Sequence, residues 1–470
     1  MRSPLWIVAM AGLSCQMPVC TGHAEATGFF HTEKRDGRWW MITPQGDLFV
    51  SKGVCAANYA PDKILGVGPS LYGEANAKKY ASVEAWRAAK ATQLLDWNFN
   101  TLGAWCDDGL GGADKYGRSL ARTPILNIAA DFAREQIEVE GGKKSAWEMG
   151  VFPDVFSPDF ETFAREKASR VCTPQAADPN ILGWFIDNEL RWGPDWRSQD
   201  ELLVSFLNGS KDSPGRKAAM EMLGKRYANV AAFNEVWKTG AASWEELADA
   251  RGIANPFPHK DKAKQNQEID RAADGSEDRR RQYMADCDAF LGLLAERYFA
   301  VTEQAVRAAA PNHMVFGCRF AYTPAKPVLE AAARHSDVIS FNSYTTDPKG
   351  AAERYAAYGR PLLVGEFAFR ATDSGLPNTK GAGPKVGNQP ERAAAYAKYV
   401  QSLMSHPAVV GYHWFKHVDE PAEGRFDGEN SNYGLLKITD EPYDDFVARV
   451  QQSNGKADGW HAAAPAITGD

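Results

Sequence analysis

Gly183-Trp184-Phe185-Ile186-Asp187-Asn188-Glu189 and Leu362-Leu363-Val364-Gly365-Glu366 are the two stretches on which the fold turns. Each is a short apolar run that stops at a glutamate. A run of this length without polar alternation reads as a strand covered on both faces. A glutamate closing such a run must sit in a functional mouth or be buried with a partner. One such end is compatible with a structural ion pair. Two of them in one chain point to a shared site.

Similar runs lie on either side. Candidate strands are Leu48–Val54, Asn98–Trp105, Pro124–Ala130 and Ile181–Asn188, then His313–Phe320, Asp337–Tyr344, Pro361–Phe369 and Val409–Val418. Helical segments separate most of them. Ser82 to Leu95 is amphipathic, and Ser157-Pro158-Asp159 opens a helix with an N-cap followed by proline. Further helices fit Arg280–Ala309, Lys326–Ala333, Gln389–Ser405 and Glu441–Gln451. Eight strands in βα order predict an α/β fold, a (β/α)8 TIM barrel. A doubly wound open sheet competes, but no glycine-rich phosphate loop follows the first strand.

Ahead of the first strand, Trp39–Ile42 and Leu48–Val54 read as a hairpin about Thr43-Pro44-Gln45-Gly46. After the fourth strand a long helical insertion, residues 191–277, is polar and broken. It holds helical pieces at Glu201–Leu207, Arg216–Tyr227 and Trp244–Ala250, and a stiff Pro256-Phe257-Pro258 loop. Loops that follow strands line the catalytic face of a barrel, so the insertion is placed to wall a site. The catalytic unit is read as residues 27–455. The tail 456–470, rich in Ala and Gly, is expected to be flexible.

Residues 1–26 read as a secretory signal: Arg2, an apolar Leu5–Leu13 core and an Ala24-Glu25-Ala26 cleavage site. The core is too short to span a bilayer. A secreted or periplasmic protein is expected, free of membrane once the signal is removed; lipid attachment at Cys15 is the other reading. Beyond the signal, Cys55, Cys106, Cys172, Cys287 and Cys318 are scattered and odd in number, without a C-x-x-C pair. Neither a disulfide framework nor a zinc site is expected, although a Cys55–Cys106 pair stays open. The cysteines read as small core residues.

The content is 44% hydrophobic and 24% charged, as in a globular protein. A net charge of −7 weighs against nucleic acid as a partner and is compatible with a neutral sugar. The 14 tryptophans suit either a core or flat faces for sugar stacking. Cleaving a glycosidic bond needs two carboxyl groups, one to protonate the leaving oxygen and one to attack or to activate water. Glu189 and Glu366 are the candidates.

Asn188-Glu189 on the fourth strand with Gly365-Glu366 on the seventh resembles the pattern of glycoside hydrolase clan A. The resemblance implies that Glu189 is the acid/base, that Asn188 binds the sugar 2-hydroxyl and that Glu366 is the nucleophile. It also implies retention of configuration, with carboxyls about 5–5.5 Å apart. Tyr344, ending the sixth strand, is similar to the clan's tyrosine beside the nucleophile, and Arg319 on the fifth is a donor by position. Trp414 falls where the clan has an aromatic floor. His413 and Lys416 are candidate substrate contacts, though His413 reads equally as core. Asn58, Glu429 and Asn430, in loops after the first and eighth strands, and Trp105, which closes the second, complete the substrate-binding candidates.

Asp36 to Trp40 with Phe49 to Val54, Trp184 to Trp192, and Gly424 to Gly434 resemble glycoside hydrolase family 50, whose activity is β-agarase. Leu223 to Trp237, with Asn234 and Trp237, is similar to the β-galactosidases of family 42. Family 50 enzymes typically carry a β-rich domain before the barrel, for which this sequence has no room. A shorter exo-acting retaining glycosidase on agar-derived or other β-galactan oligosaccharides is therefore expected. The same chemistry on β-glucan or β-mannan, and a non-catalytic sugar-binding barrel, are the competing functions. The substrate partner is an oligo- or polysaccharide. No cofactor and no metal are expected, since Asn432 stands where a calcium loop would need glycine.

Overall fold

The computed structural model describes residues 24–136, 146–257 and 277–467. Nearly all of the signal-like segment, Cys15 and Pro258 lie outside the described residues. The chain opens with an antiparallel sheet of β1 (His31–Arg35), β2 (Arg38–Ile42) and β3 (Leu48–Phe49). Asp36 and Gly37 turn β1 into β2 with φ of 48° and 70°. That left-handed pair is what a two-residue hairpin requires.

Parallel strands follow: β4 (Ser51–Val54), β5 (Thr101–Leu102), β6 (Ala121–Arg122), β7 (Gly183–Asn188), β8 (Met314–Arg319), β9 (Ile339–Asn342) and β10 (Leu362–Phe367). After the short parallel pair β11 (Arg370–Ala371) and β12 (Lys385–Val386) comes β13 (Val409–Trp414). A six-stranded parallel sheet runs β6-β5-β4-β13-β10-β9, and β7 pairs with β8. Isolated parallel bridges Arg122–Ile181, Ile125–Phe185 and Phe320–Phe341 link the edges of the two sheets.

Helices α1 (Leu71–Lys79) and α2 (Val83–Asp96) connect β4 to β5; α3 (Ile128–Gln136) and α4 (Pro158–Cys172) connect β6 to β7. The predicted insertion forms α5 (Leu202–Leu207), α6 (Pro214–Arg226), α7 (Val230–Trp237) and α8 (Trp244–Asp249) before the long α9 (Glu277–Ala309). The remaining connections are α10 (Lys326–His335), α11 (Lys349–Ala356), α12 (Gln389–Met404) and α13 (Asp444–Ala462). Starts follow local capping. Ser82, Ser157 and Asn388 each accept a backbone N–H of the first turn, and Pro158 stands just inside α4.

Two apolar clusters hold these layers. The larger packs strand residues such as Trp184, Val315, Val364 and Val409 against the helices. The smaller contains no helical residue: Phe30, Met41, Leu182, Phe185, Phe316, Leu363 and Val410 meet on the other face of the strands. Asp286 of α9 anchors the insertion. Its carboxylate accepts from Arg226 Nε at 2.7 Å, Tyr227 OH at 2.5 Å and Trp237 Nε1 at 3.0 Å. Asn234 donates to Ala241 O within the insertion. Trp237 and Asn234 thus serve packing.

Three elements differ from the sequence-based expectation. The first strand breaks at Val50, because β3 pairs antiparallel with β2 while β4 joins the parallel sheet. The third strand is Ala121–Arg122 rather than 124–130. Arg122 can stand there because it pairs with Asp178 and Asp108, and α3 already begins at Ile128. The last helix continues to Ala462, so residues 456–462 of the tail expected to be flexible are helix. Ser453-Asn454-Gly455 resembles a stop signal, yet Asn454 Oδ1 accepts from the buried Tyr396 and Tyr412 hydroxyls. Arg38 Nε then donates to Ala464 O, and Ile467 N to Gly37 O, fastening the tail to the hairpin. The five cysteines are free, and Cys106 alone among them is half-buried. No described helix is long and apolar enough to cross a membrane.

Candidate active site

Parallel register brings four strand ends together. Asn188 is level with Arg319, and Glu189 N donates to Arg319 O at 2.8 Å. Asn342 is level with Glu366, and Ser343 N donates to Glu366 O at 2.8 Å. The ends of β7, β8, β9 and β10 therefore present Asn188 and Glu189, Arg319, Asn342, and Glu366 side by side. Glu189 has a φ of 49°, uncommon for a residue with a Cβ and frequent where a side chain is aimed for function.

The side chains form one connected set. Asn342 Nδ2 donates to Glu189 Oε1 at 2.8 Å and to Asn188 Oδ1 at 3.2 Å. Arg319 Nη1 donates to the same Asn188 oxygen at 3.1 Å, and Nη2 donates to Gly365 O at 2.6 Å. Arg319 Nη1 also lies 2.9 Å from Glu366 Oε1 as an ion pair, off the line of a good hydrogen bond. Tyr344 OH donates to Glu366 Oε2 at 2.5 Å. The guanidinium rests 4.7 Å from the Trp105 ring centre and 5.0 Å from that of Phe185. Gly365 is required here: a Cβ would come within 2.8 Å of Arg319 Nε and 2.9 Å of Asn342 Oδ1.

The electrostatics separate the two carboxyls. Burial, reinforced by the negative charge of Glu366, pushes Glu189 up to about 7. Its one side-chain donor among the described residues, the Asn342 amide, is neutral. Glu366 faces a guanidinium and a phenol. Burial and then the Glu366 charge push the Tyr344 hydroxyl well above its ordinary value, so it remains a donor.

The other predicted residues fall into three groups. Lys416 and Glu429 belong to a buried charged network after β13. Lys416 pairs with Asp62 and lies 3.6 Å from Glu420; Arg425 Nη2 pairs with Glu429 at 2.8 Å. Burial raises Glu429, and the Glu366 charge contributes, which sets this network beside the carboxyl pair. Trp105 reaches the site as the plate beneath Arg319, and Asn58 Nδ2 donates to Trp105 O. Trp414, His413 and Asn430 are corrections. Trp414 is fully buried among Phe367, Tyr396 and Phe446 of the helix layer, with Nε1 donating to Tyr433 O. It offers no floor to a sugar.

The reason is a register slip. Leu362 pairs with Val409 but Leu363 with Gly411, so Val410 is an extra residue that swaps the faces beyond it. His413 consequently points to the small interior cluster, bonded to Ser51 Oγ at 2.9 Å. Burial, and then the Arg319 charge, drive it down to about 3, leaving it neutral. Asn430 instead pins a loop, its Oδ1 accepting from Thr379 N and Lys380 N.

Sequence reasoning missed Asn342, although its place two residues before Tyr344 on the sixth strand was a usable signal. It also missed Asp187, whose buried carboxylate accepts from Ala129 N, Ala130 N and Tyr298 OH and so ties the end of β7 to α3 and α9.

No protein-family model matches the chain. Beta-agarase B of Vibrio sp. (strain JT0107) is 28% identical over 495 residues, covering 92% of this chain and 48% of that protein. Beta-agarase A of the same strain is 27% identical over 485 residues, covering 89% and 45%. The chain spans about half the length of these curated relatives. Among solved structures, the agarase AgWH50C superposes with a TM-score of 0.75 at 26% identity, covering 94% of this chain and 66% of that one. An exo-beta-agarase superposes with a TM-score of 0.76 at 25% identity, covering 94% and 67%. The chain is thus homologous to β-agarases and shares the α/β fold of the solved agarase structures.

Proposed function

We propose that this chain is a retaining glycoside hydrolase acting on β-linked galactans of the agar type, with the parallel strands closed as a (β/α)8 barrel. One observation carries the reading: two glutamates at the ends of β7 and β10 share the Asn342–Asn188–Arg319 set yet meet different partners. Glu189, raised to about 7, holds a proton to give to the leaving oxygen. Glu366, facing Arg319 and Tyr344, attacks the anomeric carbon as a carboxylate. The glycosidic bond breaks as the Glu366–carbon bond forms, and the Glu189 proton leaves with the freed alcohol. Glu189 then takes a proton from water, whose oxygen displaces Glu366 and restores the starting configuration. No described residue accepts from Asn188 Nδ2, which leaves that donor for a substrate hydroxyl.

The names of the relatives support agar over β-glucan or β-mannan, and the exo-beta-agarase supports release of small units from a chain end. Export by residues 1–26 fits an extracellular polymer substrate. The test is hydrolysis of agar oligosaccharides followed by proton NMR of the first product. Wild type yields the β-anomer first. Glu366→Ala loses turnover by at least about 10⁴-fold, and added azide restores part of it as a glycosyl azide of inverted configuration. An inverted wild-type product, or no azide adduct, would remove the nucleophile assignment.

A further inference from the structure

Leaving β7, the chain passes from Glu189 through Leu190, Arg191 and Trp192 to Trp196, and there does something costly. Trp196 is 56% exposed, the one tryptophan among the large apolar side chains left in solvent by the described residues. Its neighbours are the reverse. The side chains of Asp195 and Arg197 are 1% and 2% exposed. Arg197 N donates to Asp195 Oδ1 at 2.7 Å, Nε and Nη2 donate to Oδ2 at 3.0 and 2.6 Å, and Nη1 donates to Trp147 O at 3.2 Å. The guanidinium so fixed lies 4.4 Å from the Trp196 ring centre and 5.2 Å from that of Trp147. One face of the Trp196 indole is therefore held on a clamped cation while the residue stays half in water.

The base of this construction is fixed as well. Arg191 Nε donates to Gly150 O, Nη1 to Gly193 O and Asp200 O, and Nη2 to Ser205 Oγ. Trp192 N donates to Tyr322 OH. The construction belongs to the loop that leaves the end of β7, Trp196 following Glu189 by seven residues, and the Arg197 charge is among those that act on the Glu189 carboxyl. A rigid, exposed, flat apolar face on the loop that follows the proposed proton donor suits the apolar side of a pyranose.

We infer that Trp196 is the stacking platform for the leaving-group sugar of an agar-type oligosaccharide, on the acid/base side of the cleavage point. The inference rests on Glu189 being the proton donor, since the sugar that takes the proton must lie on the side of the residue that gives it. Stacking fixes the glycosidic oxygen relative to Glu189 and is felt most by substrates that extend across the cut.

The test compares an agar oligosaccharide with an aryl glycoside whose leaving group carries no sugar, using the full chain. In Trp196→Ala the ratio of kcat/KM on the oligosaccharide to that on the aryl glycoside falls by about tenfold, carried largely by KM, and Trp196→Phe recovers part of it. Equal losses on both substrates, or an unchanged ratio, would overturn the platform. If wild type cleaves neither substrate, the proposed function fails, and the platform is judged alone by titrating the same oligosaccharide against intrinsic fluorescence. A saturable change in wild type that is lost in Trp196→Ala supports it; no saturable change in wild type overturns it.

Discussion

The ends of β7 and β10 are built from the same plan and meet different surroundings. Both are apolar runs closing on a glutamate at the carboxyl end of a parallel strand. Glu189 leaves its strand with a φ of 49° and meets one neutral amide, Asn342. Glu366 is the fifth residue of β10 itself and meets a guanidinium and a phenol. Under the proposed function the environment, not the residue type, assigns the roles: burial, with the Glu366 charge added, favours the protonated form of Glu189. The two ends are also coupled, because the charge on one raises the other.

The largest effect expected to separate them comes from removing the proposed proton donor. Glu189→Ala should lose about 10³-fold on substrates with sugar leaving groups and far less on activated aryl glycosides, which leave without protonation. Equal losses on the two would erase the contrast. Next is the cation. Arg319→Lys keeps the charge but gives up the fork that holds Asn188 Oδ1, Gly365 O and Glu366 together. We expect kcat to fall by about 30- to 100-fold, corresponding to about 2–3 kcal/mol, with little change in KM. A loss confined to KM would mean that Arg319 holds substrate rather than the nucleophile.

The smallest effect sharpens the comparison most. The acid must carry its proton, so kcat/KM should fall as pH rises through about 7, the raised value of Glu189. Burial is the larger cause of that rise and Glu366 the next. Glu366→Gln removes the like charge, so Glu189 should release its proton at lower pH. Carbon NMR of the glutamate side-chain carboxyls reads this directly in the inactive variant. A Glu189 titration that stays in place would show that burial acts alone.

Much of this arrangement was legible in the chain. Runs such as Gly183–Asn188 and Leu362–Phe367 are uniformly apolar because helices cover one face and an interior cluster the other. Their length fixes where each glutamate emerges. Ser157-Pro158 and Asn388 start helices through bonds within one turn, which local sequence dictates. The third strand was misplaced because Arg122 hides in it, made tolerable by Asp178 and Asp108. The end of α13 was misjudged because tyrosines from α12 and β13 satisfy Asn454.

What the chain determined by itself was the succession of strands and helices and the two glutamates at strand ends, since hydrophobic period and capping act over a few residues. What tertiary structure alone decided was facing and partnership. One extra residue at Val410 turned Trp414 into the helix layer and His413 into the interior, and register across β7 to β10 placed Asn342 on Glu189 and Arg319 on Glu366. Side-chain direction reverses with each residue of slip, and the protonation of a buried carboxyl depends on groups more than a hundred residues away, so neither is written in any local stretch of sequence.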